Sequence, residues 1–177
     1  MSNIILITGG GRSGKSSYAQ KIAEGLPGKR AFVATCPRID EEMDERIRKH
    51  QDARRESSWD TIEEPLDLVK ALRTPGYRVF LVDCLALWVN NLMYDDRKLT
   101  EEEIAGKCSE VLGACVGLDA TVIFVTNEVG MGIIPDNADA RRYRDLLGRC
   151  NQVMAAGTDV AVLMACGLPL SLKGILP

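Results

Sequence analysis

Asn3-Ile4-Ile5-Leu6-Ile7-Thr8-Gly9-Gly10-Gly11-Arg12-Ser13-Gly14-Lys15-Ser16 is the stretch whose reading decides the fold. Its first half is a continuous apolar run closed by glycines, the pattern of a strand buried on both faces. Its second half has the form G-x-x-x-x-G-K-S. Glycines let successive backbone N–H groups turn inward, and the N-terminus of a following helix adds partial positive charge. Together they suit phosphate oxygens. Lys15 would reach the β and γ phosphates of a purine nucleoside triphosphate, and Ser16 would offer an oxygen to Mg²⁺. At ordinary residue frequencies the four fixed positions match by chance roughly 4 times in 100,000 starts. In a chain of 177 residues a glycine-rich turn without a ligand is therefore the poorer reading.

Working outward, apolar residues fall at helical spacing after Lys15 (Tyr18, Ala19, Ile22, Ala23), and Gly25 and Pro27 stop that helix. Ala31-Phe32-Val33-Ala34-Thr35 reads as a second strand. Asp40 looks like the N-cap of a helix with Glu41 and Glu42 at its positive end and Arg54 and Arg55 at its negative end. Met43 and Ile47 give that helix only a thin apolar stripe. Residues 65–72 read as a short helix, Arg78-Val79-Phe80-Leu81-Val82-Asp83 as a third strand, and residues 85–93 as a hydrophobic helix behind it. Thr100 with Glu103 forms a capping box that opens a helix over 101–116. Ala120-Thr121-Val122-Ile123-Phe124-Val125-Thr126 is a fourth strand, 138–156 a polar helix, and Val160-Ala161-Val162-Leu163-Met164-Ala165 a fifth strand, with Leu168 to Lys173 returning as a hairpin partner. Strands alternating with helices predict an α/β fold, a mostly parallel sheet flanked by helices. Ligands of such sheets bind beyond the carboxyl ends of the strands. That rule gathers residues 9–16, 35–40, Asp83 and 126–135 on one rim. No linker or internal repeat interrupts the chain, so residues 1–177 read as one domain.

Composition narrows the function. The chain is 46% hydrophobic and 27% charged, with net charge -3 and pI about 5.3, which argues against broad electrostatic binding to nucleic acid or an anionic membrane. No apolar run approaches the ~20 residues of a membrane helix. The six cysteines show no C-x-x-C spacing, and with one histidine they make no zinc framework. They read as buried free thiols in a reducing cytoplasm.

Asp83 closes a hydrophobic strand, the arrangement in which a carboxylate holds magnesium beside a phosphate loop; the alternative is a cap for the helix that follows. His50 is the single histidine, with Arg46 and Arg54 four residues to either side on one helical face. Two readings stand. In one, a solvated basic helix happens to contain a histidine. In the other, a ring kept neutral by adjacent cations attacks phosphorus, while the arginines hold phosphate oxygens. A phosphate loop alone does not require such a histidine, because ordinary kinases transfer directly.

Four segments taken together resemble a known family: Thr8 to Ser16; Asp40-Glu41-Glu42-Met43 through Arg46-Ile47 to His50; Thr126-Asn127-Glu128-Val129-Gly130-Met131-Gly132-Ile133-Ile134-Pro135; and Arg141-Arg142-Tyr143-Arg144-Asp145 with Gly148 and Asn151. The chain is similar over nearly its whole length to the bifunctional adenosylcobinamide kinases / adenosylcobinamide-phosphate guanylyltransferases of cobalamin synthesis. The resemblance implies a RecA-like phosphate-loop NTPase core, a homotrimer, and two reactions. ATP or GTP would phosphorylate adenosylcobinamide. A guanylyl-histidine would then form from GTP and pass GMP to adenosylcobinamide phosphate. It implies His50 as the catalytic histidine. It implies nucleotide contacts at Gly9, Gly10, Gly11, Arg12, Ser13, Gly14, Lys15 and Ser16, at Ala34, Thr35 and Cys36, at Gln51, Asp52, Ala53 and Arg54, and at Glu63 and Asp83. Ser16 and Asp83 would hold Mg²⁺. Glu63 has an alternative role as a cap for the next helix. Asn127 and Glu128 would orient substrate, or their loop would only shape the rim; Arg141, Arg142 and Arg144 would reach phosphate or form a solvated face. Many members carry a second histidine just before the catalytic one, where this chain has Lys49. The rival readings are a small-molecule kinase with an inert His50 and a nucleotide-switched interaction protein; neither needs a lone histidine among arginines.

Overall fold

The computed structural model describes residues 3–36 and 59–176. In chain order the elements are β1 (Asn3–Gly9), α1 (Lys15–Gly25), β2 (Arg30–Ala34), β3 (Trp59–Glu63), α2 (Leu68–Leu72), β4 (Val79–Asp83), α3 (Leu85–Asp95), α4 (Glu101–Cys115), β5 (Thr121–Val125), α5 (Ala138–Gly157), β6 (Val160–Ala165) and β7 (Leu168–Lys173). The strands form one sheet in the order β3-β2-β4-β5-β1-β6-β7. Every neighbouring pair is parallel except β6 with β7, which is antiparallel. This is the mostly parallel, helix-flanked sheet that the sequence predicts, including the returning tail as β7.

The central strands exist because their side chains are apolar on both faces. Ile5, Leu6 and Ile7 are no more than 1% exposed, since helices cover the sheet from both sides. On one face Ile5, Ile7, Phe32, Val79, Leu81, Ile123, Val125 and Val162 pack with Ala19 and Ala23 of α1. On the other, Leu6, Val33, Phe80, Val82, Val122 and Phe124 pack with Leu85, Trp88 and Val89 of α3, Ile104 and Val111 of α4, and Leu146, Leu147, Cys150 and Met154 of α5. Among the described residues α1 is therefore the helix of one face, while α2 to α5 share the other.

Helix boundaries follow local chemistry. Thr100 accepts from the Glu103 N–H and Glu103 from the Thr100 N–H, so the predicted capping box opens α4. The expected helix over 65–72 starts only at Leu68. Glu64 Oε1 accepts from the N–H groups of Leu66 (3.3 Å) and Asp67 (3.1 Å), and Asp67 caps Lys70 N at 2.9 Å. Those acceptors hold 64–67 as a turn that delivers Asp67 to the N-cap. The capping alternative for Glu63 is thus overturned, since Glu63 ends β3. Asp83 likewise lies inside β4, and Cys84 occupies the N-cap of α3. Strand β3 was not expected. Trp59-Asp60-Thr61-Ile62-Glu63 is too polar to read as a buried strand, and among the described residues it sits at the sheet's edge with β2 as its one strand neighbour. The helix expected from Asp40 to Arg55 lies outside the described residues.

Register positions the site. Glu63, Ala34, Asp83, Val125 and Ile7 stand in one row across five strands. Residues in one row point to the same side of a sheet, here the side of α1, since Val125 and Ile7 pack there. Glu63 and Asp83 flank Ala34, each one strand spacing of about 4.8 Å away.

Candidate functional site

The loop between β1 and α1 is built by its glycines and tied to its neighbours. Gly9 has φ 148°. A Cβ there would run into the Met164 carbonyl and lie 2.9 Å from Ser13 Oγ, so only glycine lets β1 leave the sheet beside β6. Gly14 takes φ 94° at the N-cap of α1, a left-handed conformation that glycine adopts without steric cost. Ser13 O accepts from Gly167 N at 3.1 Å, and Gly9 O from Glu128 N at 3.0 Å. The loop is thereby held by the β6–β7 turn on one side and by the chain after β5 on the other.

Lys15 lies under this loop at 7% exposure. Its Nζ donates to Gly10 O at 2.5 Å and to Ser13 Oγ at 3.5 Å. Burial lowers its pKa, and the neighbouring Cys84 and Asp83 oppose that effect. A buried ammonium whose hydrogen bonds end on its own loop is ready to exchange those oxygens for those of an anion. Ser16, half-buried, is the second residue of α1.

Thr35 brings the ends of β2 and β4 together. Its hydroxyl accepts from Cys84 N (2.8 Å) and donates to Cys84 O (2.9 Å). Asn91 on α3 donates to Thr35 O at 2.8 Å and to Pro65 O at 3.0 Å. Ala34, Thr35, Cys36 and Asp83, drawn from two distant segments, thus share one edge next to Lys15. Asn91 was absent from the sequence-level candidates. The available signal was the pair of amides Asn90 and Asn91 in the middle of a mostly apolar helix, because buried polar groups need partners. The Cys84 thiol is pushed up to about 12, first by burial and then by the Asp83 carboxylate, so it stays protonated and is no nucleophile.

Asn127 and Glu128 follow β5 after the single residue Thr126. Glu128 Oε1 accepts from Gly130 N at 2.6 Å. Asn151 on α5 accepts from Thr126 Oγ1 (2.7 Å) and donates to Asn127 O (2.9 Å). Arg141 donates to Pro135 O and Asp136 O, Arg142 to Leu99 O, and Arg144 pairs with Asp145 at 3.0 Å. All three arginines are therefore engaged within this chain. Glu63 is exposed at the end of β3. His50, Gln51, Asp52, Ala53 and Arg54 lie outside the described residues.

No group of three or more His, Cys, Asp and Glu among the described residues could hold a metal ion. Ser16 and Asp83 still fit Mg²⁺. Both supply hard oxygen donors, and Mg²⁺ keeps several waters or phosphate oxygens beside one or two protein ligands. No helix among the described residues is long and apolar enough to cross a membrane.

Comparison with known proteins leads the same way. The sequence profile of the family "Cobinamide kinase / cobinamide phosphate guanyltransferase" matches residues 5–172. The bifunctional adenosylcobalamin biosynthesis protein CobP of Pseudomonas aeruginosa is 40% identical over 174 residues, covering 96% of each chain. The bifunctional adenosylcobalamin biosynthesis protein CobU of Escherichia coli is 37% identical over 183 residues, covering 96% of this chain and 99% of its own. The CobU protein of Salmonella typhimurium is also 37% identical, with the same coverage. With a profile match over almost the full length and a phosphate-loop NTPase-like fold to carry it, this chain belongs to the cobinamide kinase / cobinamide phosphate guanyltransferase family.

Proposed function

We propose that this protein is a bifunctional adenosylcobinamide kinase and adenosylcobinamide-phosphate guanylyltransferase, working in one domain spanning residues 1–177. The observation that carries the reading is the joining of the Gly9 loop, buried Lys15 and Asp83 at one sheet edge in a chain whose profile match covers residues 5–172. In the first reaction the terminal phosphoryl group of ATP or GTP passes to the aminopropanol hydroxyl of adenosylcobinamide. A bond forms between that hydroxyl oxygen and the γ-phosphorus, the bond to the β,γ-bridging oxygen breaks so that the nucleoside diphosphate leaves, and the hydroxyl proton passes to solvent. Loop N–H groups of residues 9–16 and Lys15 bind the phosphates, and Lys15 neutralises charge developing on the leaving oxygen. Ser16 and Asp83 hold Mg²⁺, which when bound screens the phosphate charges.

In the second reaction the neutral imidazole of His50 attacks the α-phosphorus of GTP. A P–N bond forms, the bond to the β-phosphate oxygen breaks and pyrophosphate leaves. A phosphate oxygen of adenosylcobinamide phosphate then attacks the same phosphorus, releasing His50 and giving adenosylcobinamide-GDP. Ala34, Thr35, Cys36, Gln51, Asp52, Ala53, Arg54 and Glu63 complete the nucleotide contacts. Thr35 holds the edge of that set through Cys84.

We further infer a homotrimer in the cytoplasm. Support for association is the edge strand β7, where Leu168, Leu170 and Leu172 are 57–70% exposed, apolar surface that favours burial against a partner. Support for the compartment is that Cys36, Cys84, Cys108, Cys115, Cys150 and Cys166 form no disulfide among the described residues.

Covalent labelling tests the second reaction. GTP labelled at the α-phosphate is incubated with the protein, which is then denatured. Acid-labile, alkali-stable label on the native protein and none on His50→Ala is expected. Absence of label from native protein that still binds GTP would remove the covalent step.

A further inference from the structure

We propose that Asn151 is a positioning residue for phosphoryl transfer. From α5 it fixes the Asn127–Glu128 backbone against the glycine-rich loop, at the place the acceptor hydroxyl must reach. This rests on the kinase reading above.

Topology sets the place. Strand β5 lies between β1 and β4, the strands that end in the Gly9 loop and in Asp83. Whatever follows β5 therefore emerges between the group that grips the phosphates and the one that holds the metal. Transfer by positioning needs the reacting atoms within about 3–3.5 Å, so the backbone at this point must be held still.

The hydrogen bonds show how it is held. Thr126 N donates to Ile7 O at 2.9 Å and Glu128 N to Gly9 O at 3.0 Å, which carries the β1–β5 pairing into the first residue of the loop. Asn151 then locks the residues between. Its Oδ1 accepts from Thr126 Oγ1 at 2.7 Å and its Nδ2 donates to Asn127 O at 2.9 Å. Because a backbone carbonyl can only accept, the amide nitrogen must face Asn127, and the orientation of the side chain follows. Only a short amide supplies both contacts. Aspartate lacks the donor, leucine lacks both groups, and glutamine is one methylene too long.

The helix that carries Asn151 is itself anchored, because Leu147, Cys150 and Met154 are fully buried around it. One turn near its start holds the loop's other root, where Arg141 donates to Pro135 O (2.9 Å) and Asp136 O (2.6 Å). Between the roots Met131 is 79% and Ile133 97% exposed. The roots alone therefore set where the loop stands, and Asn151 sets the root next to the phosphates.

The test compares Asn151→Asp and Thr126→Val with the native enzyme, using GTP and adenosylcobinamide, with rates scaled to folded protein. Asn151→Asp keeps the acceptor for Thr126 and loses the bond to Asn127 O. The expected result is a kcat for phosphorylation lowered at least tenfold, with the Kd of GTP changed less than threefold. Amide exchange in 126–130 should also be faster with GTP bound. Thr126→Ser, which keeps the hydroxyl, should recover most of what Thr126→Val loses. A kcat per folded enzyme within twofold of native in both variants would overturn the proposal, as would parallel losses of kcat and GTP affinity. If Asn151→Asp does not fold, the Thr126 pair decides alone. Failure of the native enzyme to phosphorylate adenosylcobinamide would instead reject the kinase reading. Unchanged amide exchange at 126–130 would then dispose of the positioning role as well.

Discussion

The two faces of the sheet are built differently. Among the described residues the face of α1 is thin: one helix, with Ala19 and Ala23 buried against the sheet and Tyr18 and Ile22 packed beside them. Over its upper edge lie Lys15, Ala34, Asp83 and Glu63. The opposite face is thick, with Trp88, Ile104, Leu146 and Met154 packed beneath four helices. Its polar side chains turn inward to fasten backbone, as Asn91 does to Thr35 and Asn151 to Asn127. A buried ammonium such as Lys15 costs stability on the thin side, because burial disfavours its charged form. The thick side supplies the stability that tolerates it and the rigidity that keeps the edge in register. Chemistry and stability are thereby separated across one sheet.

The separation can be tested by substitutions that act on one face only. The largest effect expected is from Lys15→Met. On the proposed role of Lys15 at the transferred phosphate, loss of its charge should lower turnover by about 10²–10³-fold or more, while the unfolding free energy stays level or rises because the replaced group was a buried charge. Turnover with GTP and urea melts on the same preparation read both. Loss of stability in step with activity would break the division of labour.

Trp88→Ala addresses the thick face. Trp88 is 2% exposed and its indole N–H donates to Leu66 O at 2.8 Å. Removing it leaves a cavity and an unpaired carbonyl, a loss of about 3–5 kcal/mol. Activity per folded molecule should change little, as measured by turnover scaled to the folded fraction.

Alkaline pH gives the most graded effect. Burial pushes the Cys115 thiol from 9.0 up to about 12, and burial with Asp83 does the same for Cys84. Cys150, hydrogen-bonded by Cys108 at 3.4 Å, also moves up. In the unfolded chain these thiols lose their protons near pH 9, while in the fold they keep them. Folded protein therefore binds more protons between pH 9 and 12, and stability falls as pH rises through that window. Each thiol contributes about 1.4 kcal/mol per pH unit. Urea melts from pH 8 to pH 10 should show the decline, and Cys115→Ala should flatten it. An unchanged slope in that variant would mean the thick core does not shield its thiols as the burial indicates.

Much of the architecture was legible from the residues alone. The run from Ile4 to Ile7, the G-x-x-x-x-G-K-S loop and the Thr100–Glu103 box are local signals, and each produced the element expected of it. Strand β3 escaped because a polar edge strand carries no hydrophobic alternation to read. The start of α2 was misplaced because Pro65 and Leu66 fit a first turn, while Glu64 and Asp67 form hydrogen bonds that delay it. At the site, Lys15 and Asp83 were marked by motif. Asn91 was not: an amide inside an apolar helix hints that it needs partners, but the two carbonyls it bonds lie far away in sequence, so its neighbourhood does not say which they are.

By itself the sequence determined the class of fold, the glycine-rich loop between β1 and α1 and the family, because these depend on short-range patterns within the chain. Only the tertiary structure decided that β5 lies between β1 and β4, that Glu63, Ala34 and Asp83 align in one row, and that Asn151 reaches the backbone beside Gly9. Those facts arise from strand order and register, which are settled by how two unequal hydrophobic faces pack against their helices.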